Sequence, residues 1–438
     1  MIRVFRVHLP ARTLILAASE TILSAVLFAL TVAGSRDGAW PWLVYENGFL
    51  RIGAVTAIFL LCMYYYDLYD SVVLKSLREA LTRLPEVLGT TCLALAVLYL
   101  AEPGIRLRLA PVLLGMALVG FSIAVVRRFF LAVTHSRRLA ERFLLVGEGP
   151  LAEALAAAIE RKPELGIRIV GTLGEGADSA AWSGERIDGV IRASAAMRDG
   201  AESARAAGVE AIDGIELYEI VTGKVWLDAL RTEGAWARHA GSASPLLRTA
   251  GRAVSFAVSY LALLLSAPLM AAIAAAIRLE SPGPVIFRQW RVGENGRVFT
   301  LYKFRSMRNG DHGPFRPASR NDERFTGVGR WLRRTRLDEL PQLWNIVRGD
   351  MSFVGPRPFA WEEEREWARE IPFYTRRWCV KPGVTGWAQI RRGYCATRED
   401  NVEKLAYDLF YAKNLSFGLD MLILFHTTKI LLQGRGAR

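Results

Sequence analysis

The chain has 438 residues, 52% of them hydrophobic, with 56 Lys and Arg against 43 Asp and Glu and a formal net charge of +13. That length allows two or three domains, and the apolar excess points to a membrane protein. A basic surplus serves nucleic acid, anionic lipid or phosphate-bearing substrate, and nucleic acid is disfavoured because much of the arginine sits beside apolar segments. Cys62 and Cys92 lie in apolar runs, Cys379 and Cys395 show no ligand spacing, and the five histidines are scattered. Neither a disulfide framework nor a zinc site is indicated.

Four apolar runs come first, at residues 14–32, 52–66, 87–101 and 111–126. Some fall short of the ~20 residues that cross a bilayer, but polar or aromatic flanks extend them, and they read as four spans. No small-residue cleavage site follows the first, so it is not a cleaved signal peptide. Arg3, Arg6 and Arg12, then Lys75, Arg78 and Arg83, then Arg127, Arg128, Arg137 and Arg138 place three flanking segments in the cytoplasm. Tyr64, Tyr65, Tyr66 and Tyr69 form either an interfacial belt or packing contacts.

After Arg142 the pattern becomes soluble α/β, with strands at 143–146 and 167–171 and a helix around 155–159. Gly147, Gly149 and Ala152 fit G-x-G-x-x-A in strand–turn–helix context. This is a fold signal; the glycines serve either a nucleotide or close strand–helix packing, and Glu175 is the one candidate ribose acid. The domain is expected to close by about residue 240, with 241–254 as linker.

Residues 255–277 are again long enough to span. Arg248 and Arg252 precede the run and Arg278, Arg288 and Arg291 follow it, which is the pattern of a segment that enters and leaves on one side. Pro268 in the middle removes a helix hydrogen bond. The reading is a re-entrant helix–break–helix, with a kinked full span as the alternative. Short strands are expected over 285–305, bringing Lys303 and Arg305 towards acids downstream; binding of a diphosphate and contact with lipid headgroups are both open for Lys303. Residues 308–322 read as a loop and 361–370 as a charged helix. The turn at 382–386, with Thr385 and Gly386, offers backbone N–H groups to a nucleotide, or is simply structural. Residues 417–432 are apolar but carry Asp420, His426 and Lys429. Each charge at a bilayer centre costs roughly 2.5 to 3.5 kcal/mol, which favours a surface-lying helix over a span.

The chemistry concentrates at Leu337-Asp338-Glu339-Leu340-Pro341-Gln342 and runs on to Gly355-Pro356-Arg357-Pro358. Pro341 fits only the first turn of a helix, which starts that helix near Asp338 and leaves both carboxylates at or near the N-cap. They are helix caps, or they are catalytic. Adjacent carboxylates among Arg333, Arg334, Arg336, Arg348 and Arg357 suit phosphoryl transfer, since cations neutralise substrate oxyanions while one carboxylate attacks phosphorus. A Gly-Pro-Arg-Pro turn also fixes an arginine on stiff backbone.

This run resembles the signature of the bacterial sugar transferases, the polyprenol-phosphate phosphoglycosyl transferases. The likeness includes Lys303-Phe304-Arg305-Ser306-Met307 upstream and Lys381-Pro382-Gly383-Val384-Thr385-Gly386-Trp387-Ala388-Gln389 downstream. It is specific from about Arg248 onward; the N-terminal half matches the large-form members in layout only. The resemblance implies a membrane α/β protein: a four-helix transmembrane region (1–138), a Rossmann-like domain (139–240), the linker, a re-entrant helix (255–278) and an α+β catalytic domain (279–438). It further implies transfer of a hexose 1-phosphate from a UDP-sugar to undecaprenyl phosphate at the cytoplasmic face of a bacterial inner membrane, initiating exopolysaccharide synthesis. Asp338 would be the nucleophile and Glu339 a metal or proton partner, both beside Mg²⁺. Lys303, Arg305, Arg336, Arg357, Thr385 and Gly386 would be substrate contacts. The N-terminal part would serve dimerisation or regulation. Family members carry a Ser-Pro break in the membrane helix; here Ser266 stands one position further from Pro268.

Two rival readings make different demands on these residues. A membrane-anchored nucleotide-sugar dehydratase or epimerase needs a second full dinucleotide fold and a Tyr-x-x-x-Lys pair, and no tyrosine here has lysine four residues on. A non-enzymatic lipid-binding scaffold predicts a dispensable Asp338.

Overall fold

The computed structural model describes residues 2–4, 7–35, 43–45, 47–70, 73–134, 140–174, 187–193, 210–231, 245–308, 322–392 and 397–433. The chain divides into two units, one of Met1–Arg3 with His8–Leu217 and the other of Val4–Val7 with Tyr218–Arg438.

Four helices open the first unit: α1 Ala11–Ala33, α2 Gly48–Tyr65, α3 Leu77–Ala101 and α4 Leu109–Thr134. They reach beyond the apolar runs because helix continues through the polar flanks; Ser76, for example, caps α3 by accepting from Glu79 N. All four are long and apolar enough to cross a membrane. Phe28, Val55, Phe59, Met63, Val87 and Val119 are buried between them, while Ile22, Leu30, Leu93 and Phe121 face outward. Helices that are apolar on every side are what a bilayer solvates.

One charged pair of this bundle turns inward. Arg127 donates from Nε to Glu20 Oε1 at 2.8 Å and from Nη1 to Leu68 O at 2.8 Å, with both side chains buried. Arg127 is therefore no headgroup-facing flank, as its place in the sequence suggests: α4 runs past it to Thr134, and its charge is matched by Glu20 inside the bundle. Arg6, Arg137 and Arg138 lie outside the described residues. Tyr66 bonds Thr90 Oγ1 at 2.6 Å and the Tyr69 ring lies 5.6 Å from the Arg127 guanidinium, so these two tyrosines make packing contacts.

A parallel sheet completes the unit: β1 Glu141–Val146, β2 Ile167–Leu173, β3 Gly189–Arg192 and β4 Glu210–Asp213, in the spatial order β2-β1-β3-β4. Helix α5, Pro150–Glu160, crosses from β1 to β2. The order reverses at β1, so the turn carrying Gly147 and Gly149 sits at a topological switch point. Both residues have left-handed φ, 114° and 108°, which glycine alone adopts freely. Ala152 is buried in α5 against the sheet and serves packing. Glu175 and residues 241–244 of the expected linker lie outside the described residues.

The second unit takes in residues 218–231, which the sequence places with the preceding domain. Trp387 Nε1 donates to Gly223 O at 2.9 Å and Lys413 Nζ to Glu219 Oε2 at 2.7 Å, so this segment packs against helices downstream. From Pro245 the chain is helical: α6 spans Pro245–Glu280 and runs unbroken across Pro268. The expected interruption of helix is thus absent. Pro268 has no amide for Leu264 O, and Ser266 Oγ reaches Leu263 O (3.3 Å) rather than that carbonyl. The stretch Ala253–Glu280 is also long and apolar enough to cross a membrane.

Beyond α6, β5 Ile286–Val292 and β6 Val298–Phe304 form an antiparallel hairpin. Helices α7 Gly327–Thr335 and α8 Gln342–Arg348 follow, then strand β7 Ser352–Val354, helix α9 Trp361–Glu370 and strand β8 Gly383–Thr385, which pairs in parallel with β7. Three helices end the unit: α10 Trp387–Arg391, α11 Arg398–Lys413 and α12 Phe417–Leu432. Residues 309–321 of the expected loop are outside the described residues. Phe304, Leu332, Ile273 and Ile277 bury the hairpin and α7 against α6. The Glu280 carboxylate, at the end of α6, accepts from Gly327 N (2.6 Å) and Val328 N, capping α7.

α12 turns several of its polar groups inward. Lys429 is buried, Thr427 bonds Thr385, and Asp420 Oδ1 accepts from Tyr411 OH at 2.8 Å, while Phe417, Met421, Phe425 and Leu432 are exposed. Burial pushes the Asp420 carboxyl up to about 6, against the Tyr411 hydroxyl that favours its ionised form. The folded state then holds this proton more tightly than the unfolded chain. Asp420 contributes stability below pH ~4 that is lost as pH rises through ~6, on the order of 3 kcal/mol at most. Asp420→Asn is expected to raise the melting temperature at pH 7.5 and flatten its decline between pH 4 and 7. An unchanged profile in thermal melts would refute that assignment.

Candidate active site

Arg336 ends α7 with a left-handed φ of 60°, and the chain turns at once into a short 3₁₀ segment, Leu337–Glu339, before α8 begins after Pro341. No side chain caps either element. The capping explanation for Asp338 and Glu339 therefore falls, and the strained backbone before them is of the kind found at functional sites.

The two carboxylates are treated differently. Glu339 Oε1 gathers three cations: Arg357 Nη2 at 2.7 Å, Lys303 Nζ at 3.3 Å and Arg336 Nη1 at 3.4 Å. Burial works to raise its pKa, but Arg357 and Lys303 outweigh that and hold it well below the usual carboxylate range. Asp338 is buried, and its Oδ1 has no hydrogen-bond partner among the described residues. Burial raises the Asp338 pKa, with Lys303 opposing and Glu339 adding to the rise. One acid is a permanent anion locked to three cations; the other presents an unsolvated oxygen. A bare carboxylate oxygen is the stronger nucleophile, because no hydrogen bond must be broken before it attacks.

Lys303 sits on β6, where burial lowers its pKa while Glu339 raises it. Arg333, on the last turn of α7, has its pKa lowered by burial and raised by Asp338, and Arg291 on β5 is brought to about 10 by burial and by Arg357. Arg333 is one of the arginines that the sequence already gathers around the two acids, whereas Arg291 is not. Arg291 looked like a basic flank, and only the hairpin register turns it towards Pro358, whose carbonyl accepts from its Nη1 at 2.9 Å.

Two expected substrate contacts, Arg305 and Thr385, are engaged elsewhere. Arg305, just past β6, is buried and donates from Nη2 to Ser281 O (2.7 Å) and from Nη1 to Pro282 O (2.8 Å), clasping the chain where it leaves α6. Thr385 is buried with its hydroxyl 2.7 Å from Thr427 Oγ1. Gly386 serves close packing, since a Cβ there would strike Gly355 O. Gly147, Gly149 and Ala152 belong to the other unit.

Among the described residues no group of three or more His, Cys, Asp or Glu could hold a metal ion. Mg²⁺ is commonly held by one or two carboxylates together with substrate phosphate and water, and the unpartnered Asp338 Oδ1 fits that demand. Glu339 Oε1, crowded by three cations, fits it poorly.

The sequence profile of the family described as bacterial sugar transferase matches residues 247–434. The chain is 43% identical over 226 residues to the UDP-N-acetylgalactosamine-undecaprenyl-phosphate N-acetylgalactosaminephosphotransferase of Aeromonas hydrophila, covering 51% of this chain and 52% of that protein. It is 35% identical over 329 residues to the undecaprenyl-phosphate glucose phosphotransferase of Komagataeibacter xylinus, covering 69% and 61%. It is 41% identical over 193 residues to the exopolysaccharide production protein PSS of Rhizobium leguminosarum bv. phaseoli, covering 42% of this chain and 96% of that protein. The matched part thus spans between half and two thirds of the length of the first two relatives.

Proposed function

Since this chain belongs to the bacterial sugar transferase family, we propose that it transfers a hexose 1-phosphate from a UDP-sugar to undecaprenyl phosphate and releases UMP. The observation that carries this reading is the contrast between Asp338, with an unpartnered oxygen, and Glu339, clamped by Lys303, Arg336 and Arg357. Asp338 attacks the β-phosphorus of the donor, the bond to the UMP oxygen breaks, and the sugar phosphate is left on the carboxylate as an acyl phosphate. A phosphate oxygen of the lipid then attacks the same phosphorus and frees Asp338. Two steps suit two substrates of opposite solubility, because each occupies the site in turn. Lys303, Arg336 and Arg357 surround the reacting phosphates with positive charge that Glu339 keeps in place. Mg²⁺, when bound, would screen the diphosphate, with Asp338 as the carboxylate nearest to hand.

The protein is a multi-pass membrane protein by its apolar helices and its family. We place the catalytic unit at the cytoplasmic face of an inner membrane, with α6 bent at Pro268, its helix uninterrupted, so that both of its ends meet that face. The support is the basic residues at both ends of α6 and the hydrogen bond Pro268 denies its midpoint.

The test is UMP release by the purified protein with Mg²⁺ and undecaprenyl phosphate, using UDP-glucose, UDP-galactose and UDP-N-acetylgalactosamine as donors. Release with one donor names the substrate; no release with any, beside a working relative, sinks the assignment. In the same assay Arg305→Met is expected to lower the melting temperature but leave the donor KM within about twofold, because its bonds are to Ser281 and Pro282. A KM rise of tenfold or more would return Arg305 to the substrate.

A further inference from the structure

The turn that carries Arg357 is gripped from outside at three successive carbonyls. Pro356 O accepts from Gly383 N (3.0 Å), Arg357 O from Arg377 Nη2 (2.8 Å) and Pro358 O from Arg291 Nη1 (2.9 Å). Two prolines leave this stretch short of amides of its own, so external donors must fix it.

Arg377 is itself held on every side. Its Nη1 donates to Glu364 Oε1 (2.8 Å) and to Tyr374 OH (2.9 Å), and Nε and Nη2 both reach Asp408 Oδ2, at 3.2 and 2.8 Å. The three charged side chains are 1–2% exposed. Stability alone is a weak reason for such a network, because apolar residues of similar volume commonly do as well. What an apolar core lacks is a planar fork with one N–H directed at a particular carbonyl. Arg357, whose main chain takes that bond, has its side chain on Glu339, next to Asp338.

We propose that Arg377, with Arg291, is a positioning residue: the two fix the main chain at Arg357 and Pro358 so that the Arg357 guanidinium meets Glu339 and the reacting phosphate. This deepens the transferase reading and rests on it. Neither arginine touches substrate; each acts through Arg357.

The experiment is a double-mutant cycle of Arg377→Lys and Arg357→Ala on kcat/KM for UMP release, with melting temperatures taken alongside. Lysine keeps the charge between Glu364 and Asp408 but lacks the second N–H for Arg357 O. Expected losses are about tenfold for Arg377→Lys and about a hundredfold for Arg357→Ala, with the double variant within about twofold of Arg357→Ala alone. Additive losses near a thousandfold would overturn the proposal, since a merely structural Arg377 does not need Arg357 to exert its effect. If Arg377→Lys is not recovered folded, the near-isosteric Asp408→Asn, which loosens the same Nη2, takes its place with the same two outcomes. An active wild type with additive losses removes this inference alone. A folded wild type with no turnover removes the transferase reading and this inference together.

Discussion

Asp338→Asn is expected to abolish UMP release, by a factor of about 10³ or more, while leaving the melting temperature within a degree or two of the wild type. A thousandfold loss is about 4 kcal/mol of barrier, the size of effect seen when the attacking group itself is removed. Fold and activity separate here because Asp338 Oδ1 has no hydrogen bond to lose. The amide substitution removes a nucleophile and a charge without emptying any space. The pH dependence follows with a definite sign. Burial raises the Asp338 pKa, so the reactive carboxylate is lost on acidification at a pH above the ordinary aspartate range, and the acid limb of kcat lies there. Glu339 adds to that rise. Glu339→Gln should therefore move the limb to lower pH, even as it lowers the rate by leaving Lys303, Arg336 and Arg357 without their shared anion. Turnover by Asp338→Asn above a hundredth of the wild type, or an acid limb that moves upward in Glu339→Gln, would count against Asp338 as the nucleophile.

Much of this site is legible in the sequence, for reasons that differ from residue to residue. Asp338 and Glu339 stand out because Pro341 fixes where the helix begins, and Arg357 because two prolines mark its turn as rigid. Lys303 follows from strand alternation. The same alternation misleads at Arg305, which lies just past the end of β6, where the backbone no longer dictates direction and the guanidinium finds Ser281 and Pro282. Arg291 reads as a flank and Arg377 carries no signal in the sequence, since what distinguishes them is a carbonyl supplied by a distant segment. Glu20 and Arg127 are hidden for the same reason: one lies inside an apolar run and the other just past the end of another, and only the folded bundle brings them to 2.8 Å. The membrane helices themselves are plain from composition, whereas the path of α6 at Pro268 is not, because a proline marks a lost hydrogen bond without saying whether the helix stops.

Gly383→Ala is the substitution expected to cost the most in folding. The parallel pair β7 and β8 brings the Gly355 turn against the turn at residues 382–386, with Gly355 N donating to Thr385 O at 2.8 Å and Gly383 N to Pro356 O at 3.0 Å. A Cβ on Gly383 would fall on Gly355 N, Thr385 O and Val354 C, all of them main-chain atoms. No side chain can swing aside to relieve the overlap, so the strands must part, breaking both hydrogen bonds and freeing the Pro356 carbonyl next to Arg357. Overpacking of a yielding core costs about 1–3 kcal/mol; a clash with main chain on three sides should exceed that range. Gly355→Ala meets Lys381 O and Gly383 N in the same manner and should behave alike. Both variants are expected to lose activity together with a fall in melting temperature of several degrees, in contrast to Asp338→Asn, which loses activity alone. A Gly383→Ala protein that melts like the wild type would mean that the two motifs do not meet through their backbones, and the grip on Arg357 described above would lose its first element.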